Sequence, residues 1–510
     1  MSKPHVCLIY PPVAKPSEPP AGVTRLAGAL RSHGVACRVI DANLEGLLAL
    51  VRQDHHDRDT WSMRARRHRD RHLRALRSVD TYRHFDRYRR AVADINRLVG
   101  LAGKREAVRI GLADYTDPKL RPVRSDHLIR AAETPERNPF YVYYHRQLLP
   151  RLISTTPNVV GISVNYLSQA LCAFALIGML RTALPDSRIV IGGGLVTSWS
   201  RRSDLNQRFR GLVDQVVTGP GEPALLQSVG VKGTHKHCPP SYHDLVGHAY
   251  LSPGWVLPYS ASSGCWWRRC TFCPEQTEKQ TYRPLPHPLA SDQLRHLCRS
   301  TDPAMIHVLD NALSPALLKT LAAHPPGAPW YGFARIAAPL DDLDFCRKLA
   351  TSGCAMLKIG LETGDPKVLE TMHKGTDPGT ASQVLNNLAR AGIATYVYLL
   401  FGTPAEDEAS AEKTLSYIVD HAQSIDFLNL AIFNLPVADR QAGDLKLRDF
   451  YPGDLALYSD FIHPKGWNRA NVRRFLEKRF KKHPRIQPII RRDPPIFTSN
   501  HAAFFKSNPQ

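Results

Sequence analysis

The chain contains no run of about 18 consecutive apolar residues, the length that a membrane-spanning helix requires. Its longest apolar stretch, residues 171–180, is therefore predicted to be a buried helix. Hydrophobic residues make up 43% of the 510 positions, which excludes wholesale disorder. The chain shows no room for a secretory signal before its first strand-like segment, so we expect a cytoplasmic protein without a membrane partner.

Acidic residues are scarce: 46 Asp and Glu stand against 67 Lys and Arg, a formal net charge of +21. The excess is concentrated, since residues 51–150 hold 23 basic against 13 acidic residues and residues 461–510 hold 12 against 2. Two basic, solvated helical elements would explain this pattern, and so would contact with nucleic acid or an anionic substrate. The chain has no RNA-binding signature or zinc-finger spacing, so nucleic acid is not the expected partner.

Residues 5–230 alternate between short apolar runs and amphipathic segments. Strands are predicted near residues 5–10, 37–41, 158–163, 188–194 and 215–218, with helices at 22–32 and 170–182. This order predicts an α/β domain, a Rossmann-like doubly wound parallel sheet whose ligand crevice lies beyond the carboxyl ends of its strands. A basic helical insertion interrupts the pattern at about residues 50–150 and includes a helix predicted over residues 61–80.

A second alternation follows residue 255. Six strands are predicted at residues 256–260, 305–310, 330–335, 356–361, 395–401 and 427–433, with helices at 315–323, 341–351, 380–391 and 408–421. Six such units predict a partial (β/α)6 barrel with its chemistry at the carboxyl ends of the strands. We therefore expect domains at residues 1–235 and 236–440 and a basic C-terminal extension at 441–510.

Clustered cysteines are rare, since seven of the ten are scattered along the chain. The exceptions, Cys265, Cys270 and Cys273, follow the first strand of the second domain. Three thiolates can hold one soft metal centre, such as an iron–sulfur cluster or zinc. A structural zinc would need a fourth protein ligand, for which His287 and Cys298 are the nearest candidates. A four-iron cluster would keep one iron open to a chelating substrate.

This arrangement resembles the radical S-adenosylmethionine (SAM) superfamily, although the first gap in Cys-x4-Cys-x2-Cys is one residue longer than usual. The resemblance covers residues 256–435 and implies a [4Fe–4S] cluster on the three cysteines. Phe272 occupies the aromatic position before the last cysteine. The resemblance further implies SAM-binding residues at the strand ends: Phe272, Asp310, Asn311, Arg335, Glu362, Thr363 and Thr403.

The first domain resembles the cobalamin-binding Rossmann domain that precedes many radical SAM barrels. The resemblance implies cobalamin-binding residues at Pro11, Ser163, Gly192, Gly193, Gly194, Gly219 and Glu222. Glycine suits these positions because it lets the backbone approach a bulky ligand closely. The chain lacks an Asp-x-His-x-x-Gly segment, so no histidine ligand to cobalt is expected. A domain that keeps the fold and binds nothing is the alternative.

The resemblance implies an enzyme that cleaves SAM reductively at the cluster, generates a 5′-deoxyadenosyl radical and transfers a methyl group from cobalamin to an unactivated carbon. It also implies an external one-electron reductant of the flavodoxin or ferredoxin type. The substrate would be a small molecule or a peptide, and the basic segments would suit an anionic one. Two alternatives stay open: a radical SAM cyclase, oxidase or rearrangement enzyme without methyl transfer, and a zinc or nucleic-acid-binding protein. No catalytic acid or base is identified.

One further segment has two interpretations. Residues 496–505 carry a Ser-Asn-His group between aromatic residues. It could fold back over a substrate cavity or dock as an ordinary surface strand.

Overall fold

The computed structural model describes residues 5–54, 57–231, 237–437, 445–448 and 452–506. The chain divides into two compact units, residues 1–253 with 451–457 and residues 254–450 with 458–510. The domain boundaries expected near residues 235 and 440 lie outside the described residues. The first unit continues to Pro253, because Asp244 accepts the N–H of Val39 at 2.7 Å and the Tyr250 hydroxyl donates to Asp41 at 2.8 Å.

A five-stranded parallel sheet forms the centre of the first unit. Its strands are β1 (His5–Ile9), β2 (Ala36–Ile40), β3 (Val159–Ser163), β4 (Arg188–Gly192) and β5 (Gln215–Val216), paired in the order β2–β1–β3–β4–β5. Strand β3 is buried along its whole length, as expected when helices cover both faces of a parallel sheet. The strand order reverses between β1 and β3, and doubly wound sheets bind ligands beyond the carboxyl ends at such a reversal.

The helices that accompany this sheet are Ala21–Ser32, Ala42–Arg52, Leu167–Ala183, Gly194–Trp199, Leu205–Arg208 and Glu222–Ser228. Helix Leu167–Ala183 contains the apolar stretch noted in the sequence and is buried over residues 169–177. It packs closely against helix Ser125–Glu133, and Gly178 lies at the point where the two backbones approach each other.

The insertion is helical, but the single helix predicted over residues 61–80 is wrong. Three short helices replace it, Thr60–Arg67, Arg69–Ala75 and Val79–Tyr82. The chain turns at His68, which allows both Trp61 and His72 to reach the buried Asp94, at 2.7 and 3.1 Å. The other elements of the insertion are helices Phe85–Ala102, Ser125–Glu133, Pro135–Arg137, Tyr141–Tyr143, Tyr144–Leu148 and Leu149–Thr155 and the strands Arg109–Ile110 and Tyr115–Thr116.

The second unit contains six parallel strands paired in chain order. They are β6 (Val256–Tyr259), β7 (Met305–Leu313), β8 (Trp330–Ala334), β9 (Cys354–Glu362), β10 (Ala394–Phe401) and β11 (Phe427–Ile432). Within the described residues the first and last strands do not pair with each other, so the sheet is open. The prediction of two α/β sheets, the second a partial barrel, is confirmed.

Five of the helices between these strands begin directly after a capping side chain. Ser314, Asp342, Asp365, Asp377 and Asp407 each accept a backbone N–H of the first helical turn. The helices are His287–Thr301, Pro315–Ala323, Leu343–Thr351, Pro366–Thr371, Pro378–Arg390 and Glu408–Asp420.

The C-terminal part adds short antiparallel strands, Leu435–Pro436, Leu447–Arg448 and Tyr458–Phe461. It then forms helices Arg469–Lys478, Phe480–Lys482, Gln487–Arg491, Ser499–Ala502 and Ala503–Phe505. Among the described residues, no helix has the length and apolarity needed to cross a membrane.

The close approach at Gly178 yields a stability prediction. A Cβ there would lie 1.9 Å from the carbonyl oxygen of Ala132, which cannot yield without moving its helix. We expect Gly178→Ala to lower the free energy of unfolding by about 1–3 kcal/mol. Gly100 is the matched control within a helix, since an added Cβ would meet Ile110 oxygen at an ordinary 3.5 Å. Gly100→Ala should keep or raise stability; equal thermal midpoints for the two variants would contradict the argument.

Candidate cofactor site at the strand ends

The three clustered cysteines lie on one loop after β6. Cys270 is buried, Cys265 and Cys273 are half-buried, and none of them forms a disulfide. The loop turns tightly, because the N–H of Cys273 donates to the carbonyl of Cys270 at 3.2 Å. Helix Pro274–Thr277 begins directly after Cys273.

Two adjacent tryptophans anchor this loop to the strand ends. The Trp266 indole N–H donates to the carbonyl of Leu313, at the end of β7, at 3.2 Å. The Trp267 indole N–H donates to the carbonyl of His373 at 3.1 Å. Gly375 makes room for this ring, since a Cβ there would lie 1.9 Å from it. The loop is therefore held across the carboxyl ends of the sheet.

Arg335, at the end of β8, packs against the cysteine loop. Its guanidinium carbon lies 4.3 Å from the Trp267 ring centre, and its Nη1 donates to Cys270 Sγ at 3.6 Å. Its Nη2 donates to the carbonyl of Lys374. Its Nε is buried and has no hydrogen-bond partner among the described residues. Arg335 thus places positive charge and an unused N–H beside a thiol.

Glu362 and Lys374 form an ion pair at the end of β9, with Lys374 Nζ 2.6 Å from Glu362 Oε1. The Lys374 ammonium also lies 5.6 Å from the Phe272 ring centre, which joins two predicted site residues. Gly360 permits the pair, because a Cβ there would come within 2.6 Å of the Glu362 carboxylate. Lys374 is the site residue that sequence reasoning missed.

Asp310 forms hydrogen bonds with groups at the start of the cysteine loop. Its carboxylate accepts the N–H of Ala261 at 2.9 Å and the hydroxyl of Ser262, which fixes the start of the cysteine loop. Burial raises the pKa of Asp310 to about 6. Its neighbour Asn311 is exposed.

The two predicted threonines are enclosed rather than open. The Thr363 hydroxyl lies 2.9 Å from the Thr414 hydroxyl and accepts the N–H of Asp365 at 3.2 Å. Thr403 is buried, and its hydroxyl has no partner among the described residues. The structure therefore gathers Cys270, Phe272, Arg335 and Glu362 around Lys374, whereas Thr363 contacts Thr414 and Asp365.

A second buried carboxylate, Glu406, lies beyond the end of β10 and was not anticipated. Its Oε2 accepts the N–H of Gly402 and the indole N–H of Trp467, the latter at 2.9 Å. Its Oε1 is buried without a partner among the described residues. Burial raises the pKa of Glu406 to about 7.

Three cysteines on one loop are the donor type that an iron–sulfur cluster takes. Burial raises the pKa of the Cys273 thiol to about 11 and also raises that of Cys270, whose nearest cations, Lys374 and Arg335, act in the opposite direction. Among the described residues, no group of three His, Cys, Asp or Glu side chains could hold a metal ion as placed. In a four-iron cluster each thiolate binds a different iron, so the three sulfurs need not converge on one point.

At the switch point of the first unit, the predicted residues follow β1, β3, β4 and β5. The Pro11 carbonyl accepts from the Gln169 side chain at 2.7 Å, and the Ser163 hydroxyl accepts from Asn165 at 3.1 Å. Glu222 is buried and pairs with Arg25 at 3.1 Å.

The glycines at these strand ends differ in what they allow. Gly193 has φ +108°, and a Cβ there would lie 2.5 Å from the Val164 carbonyl oxygen, so the chain itself needs this glycine. Gly194 is exposed, and a Cβ there would meet only Asn165 Oδ1 at 3.8 Å. No atom of the described residues lies within 4 Å of a Cβ built at Gly219. Gly194 and Gly219 therefore present bare backbone, which fits a bulky flat ligand; Gly192 lies at the end of β4.

Comparison with solved structures finds the same architecture. The cobalamin-dependent SAM radical enzyme OxsB, with aqua-cobalamin and SAM bound, matches 87% of this chain at a TM-score of 0.54 and 15% identity. The radical SAM methyltransferase TsrM from Kitasatospora setae, with tryptophan substrate and a SAM analogue bound, matches 88% of this chain and 79% of its own at 0.54 and 15% identity. The chain shares the fold of cobalamin-dependent radical SAM enzymes.

The similarity in sequence to a curated protein covers a much shorter part of the chain than the similarity in structure. Bacteriochlorophyllide d C-12(1)-methyltransferase of Chlorobaculum tepidum is 32% identical over 71 residues, 14% of this chain and 16% of the relative. No protein-family profile matches the chain. The chain spans 54% of the length of OxsB in that comparison.

The burial of Glu406 predicts a pH dependence of stability. Its pKa in the folded protein, about 7, lies above its ordinary value of 4.5, so its ionisation weakens the fold as pH rises through this range. Above pH 7, the ionisation of Glu406 lowers the free energy of unfolding by about 3 kcal/mol relative to pH values below 4.5. We expect Glu406→Gln to flatten the decline in urea midpoint between pH 5 and pH 8. An unchanged decline in the variant would contradict this assignment.

Proposed function

We propose that the chain is a radical SAM enzyme that carries out cobalamin-dependent methyl transfer to an unactivated carbon. The observation that carries the proposal is the three-cysteine loop, held over the strand ends of an open parallel sheet with Arg335 and Lys374 against it. The fold shared with OxsB and TsrM supports it, since those proteins are named as radical SAM enzymes.

In the second unit, Cys265, Cys270 and Cys273 would hold a [4Fe–4S] cluster. When bound, the cluster supplies the electron for reductive cleavage of SAM, and cobalamin carries the methyl group. Arg335 offsets negative charge beside Cys270, as does Lys374 in the adjoining ion pair. Glu362, only partly exposed, is the carboxylate best placed to accept from the SAM ammonium or ribose.

The remaining predicted SAM residues divide by their contacts. Asp310 would act through the start of the cysteine loop, whereas Asn311 is exposed and open to a ligand. Thr363 and Thr403 would shape the strand ends from within, because both are buried.

In the first unit, cobalamin would lie on the bare backbone of the switch point. We expect it to contact the residues at the strand ends: Pro11, Ser163, Gly192, Gly193, Gly194, Gly219 and Glu222. No histidine ligand is expected there, because the Asp-x-His-x-x-Gly segment is absent.

Methyl transfer is favoured over other radical outcomes because TsrM and the Chlorobaculum tepidum relative are both named methyltransferases. An external one-electron reductant would complete the reaction. Tryptophan is bound by TsrM, which makes an organic small molecule the first substrate class to examine.

The cluster assignment is tested by replacing each cysteine. Cys265→Ala, Cys270→Ala and Cys273→Ala should each abolish the iron–sulfur absorption at ~400 nm, because each removes a thiolate ligand. Iron and sulfide are measured after anaerobic reconstitution, together with 5′-deoxyadenosine formed from SAM.

Cys298 and Cys354 are matched controls, since both are buried thiols outside the loop. Their alanine variants should keep iron, sulfide and SAM cleavage. Zinc without sulfide in the wild-type protein would favour the non-enzymatic alternative and remove the proposal. Iron loss in Cys298→Ala as complete as in Cys270→Ala would show that a fourth cysteine ligand exists.

The cobalamin assignment is tested at Gly194. Gly194→Leu adds a side chain where Asn165 is the one described residue nearby, so the fold should persist while cobalamin retention falls by at least tenfold. Retention is read from the visible spectrum after reconstitution with hydroxocobalamin and desalting, and the iron content should equal that of the wild type.

The control for this experiment is Gly100→Ala, because an added Cβ there meets an ordinary contact at 3.5 Å. Gly211 is not used as the control, since its φ of +87° strains any side chain. Gly100→Ala should retain cobalamin fully. Failure of the wild-type protein to retain cobalamin would remove methyl transfer and promote a radical SAM reaction of another kind.

A further inference from the structure

The cysteine loop carries two arginines at its surface. Arg268 and Arg269 lie between Cys265 and Cys270, and both are exposed. Within the described part of the chain, neither guanidinium forms an ion pair or a hydrogen bond. Consecutive Cα atoms are about 3.8 Å apart, so the Cα of Arg268 lies within about 8 Å of that of Cys270. A molecule that contacts these arginines therefore lies beside the loop that carries the cysteines.

The backbone at Arg268 does not explain why an arginine stands there. Its φ is +51°, in the left-handed region that glycine and asparagine adopt at lower cost. No polar contact with another described residue compensates for this cost. Strained residues of this kind concentrate at functional sites. What the arginine adds at this position is an exposed positive charge.

The second arginine is held against the anchor of the loop. The guanidinium carbon of Arg269 lies 5.0 Å from the Trp267 ring centre. The same ring contacts Arg335, whose Nη1 donates to Cys270 Sγ. The exposed charge of Arg269 is therefore fixed in position relative to the buried thiol of Cys270.

The whole segment around the cysteines presents positive charge to solvent. Residues 262–285 contain four basic and two acidic residues. Both acidic residues, Glu275 and Glu278, are half-buried, whereas all the basic ones are exposed: Arg268, Arg269, Lys279 and Arg283. Arg283 lies opposite Ser263 in a short antiparallel strand pair at the base of the loop. This surface thus favours a partner with negative charge.

We propose that Arg268 and Arg269 form the docking surface for the external reductant, an acidic one-electron carrier protein of the flavodoxin type. Carboxylates that surround the flavin of this partner pair with the two arginines. This inference rests on the proposed function, because a reductant is needed only if the loop holds a cluster. In the docked complex one electron leaves the reduced flavin and enters the cluster. The flavin is oxidised by one electron, the cluster is reduced by one, and no bond forms or breaks.

The chemistry of the two arginines selects this partner. Each guanidinium can bind a carboxylate through two parallel hydrogen bonds, and two adjacent ones match a surface with several carboxylates. Complementary charges also steer the encounter of two proteins and reject partners of the wrong sign. A small anion would meet exposed charges that water and salt screen, whereas a docked protein covers them.

The basic C-terminal segment offers a matched control. Helix Arg469–Lys478 exposes Arg473 and Arg474, which form no ion pair with any described residue. The buried face of this helix packs at the end of β10, so the pair lies outside the cysteine loop. The segment is helical near its end as well. Because residues 499–502 form a helix, the interpretation of residues 496–505 as a surface strand is wrong.

The first experiment measures binding by the reconstituted full-length chain. The probe is oxidised flavodoxin, which transfers no electron during the measurement, and its dissociation constant is determined by calorimetry. The double variant Arg268→Gln/Arg269→Gln should raise this constant at least about fivefold, because two ion pairs are lost. The double variant Arg473→Gln/Arg474→Gln removes the same charge and should change the constant less than about twofold.

The second experiment compares two reductants in SAM cleavage, read as 5′-deoxyadenosine. Dithionite is a small molecule that needs no docking surface, whereas reduced flavodoxin does. At flavodoxin concentrations below saturation, Arg268→Gln/Arg269→Gln should lower the flavodoxin-driven rate at least about fivefold. The dithionite-driven rate should stay within about twofold of the wild type. An equal fall in both rates would overturn the proposal, because the arginines would then act on the cluster or on SAM.

Arg268→Glu tests the surface without disturbing the contact between Arg269 and Trp267. Reversal of the charge should weaken flavodoxin binding more than Arg268→Gln does, whereas Arg268→Lys should bind as the wild type does. An unchanged dissociation constant in Arg268→Glu would overturn the proposal. Equal weakening in the Arg473→Gln/Arg474→Gln control would also overturn it, as would failure of the wild type to bind flavodoxin.

The two experiments separate this inference from the proposed function. Iron and sulfide are measured on the same samples. Flavodoxin binding that depends on the arginines, in a chain that assembles no cluster, would remove the proposed function and leave a docking surface for an acidic protein. A normal cluster with dithionite-driven SAM cleavage, and flavodoxin binding that ignores the arginines, would remove only the docking surface.

Discussion

The packing of Arg335 between the cysteine loop and the strand ends is the interaction on which the candidate site depends. Desolvating a guanidinium costs several kcal/mol unless other contacts compensate. Here the compensation comes from the Trp267 ring, the Lys374 carbonyl and Cys270. The contacts with Trp267 and Cys270 require the loop to lie where it does, so the position of the loop and the burial of the cation stabilise each other.

The Glu362–Lys374 pair extends the same network of contacts to the end of β9. Lys374 is tied to Arg335 through its carbonyl and to Glu362 through its ammonium. A side chain at Gly360 would displace this pair, so the bulged end of β9 fixes the position of the carboxylate. Buried contacts thus link the cysteine loop to two cations, Arg335 and Lys374, and to one carboxylate, Glu362. The positions of these three charged groups are therefore fixed relative to one another.

The sequence predicts elements well where local signals act alone. Helix Pro315–Ala323 has the predicted bounds because Ser314 caps it and proline begins it. The single helix predicted over residues 61–80 is wrong, because the chain turns at His68. That turn lets Trp61 and His72 contact Asp94, which is distant in sequence. The predicted strand ends also include Asp310 and Thr363. Only the structure shows that Asp310 accepts the N–H of Ala261 and that the Thr363 hydroxyl contacts that of Thr414. Lys374 belongs to no motif, and its role depends on where a loop folds.

Three buried ionisable groups of the second unit, Asp310, Glu406 and Lys358, differ in what holds them. Asp310 and Glu406 each accept a backbone N–H, so their burial is explained by bracing the ends of strands. Lys358 instead contacts the side chains of His307, Phe333 and Tyr331, all on neighbouring strands. Side chains can adjust to a ligand with little change in the fold, whereas a backbone contact cannot be exchanged without moving a strand.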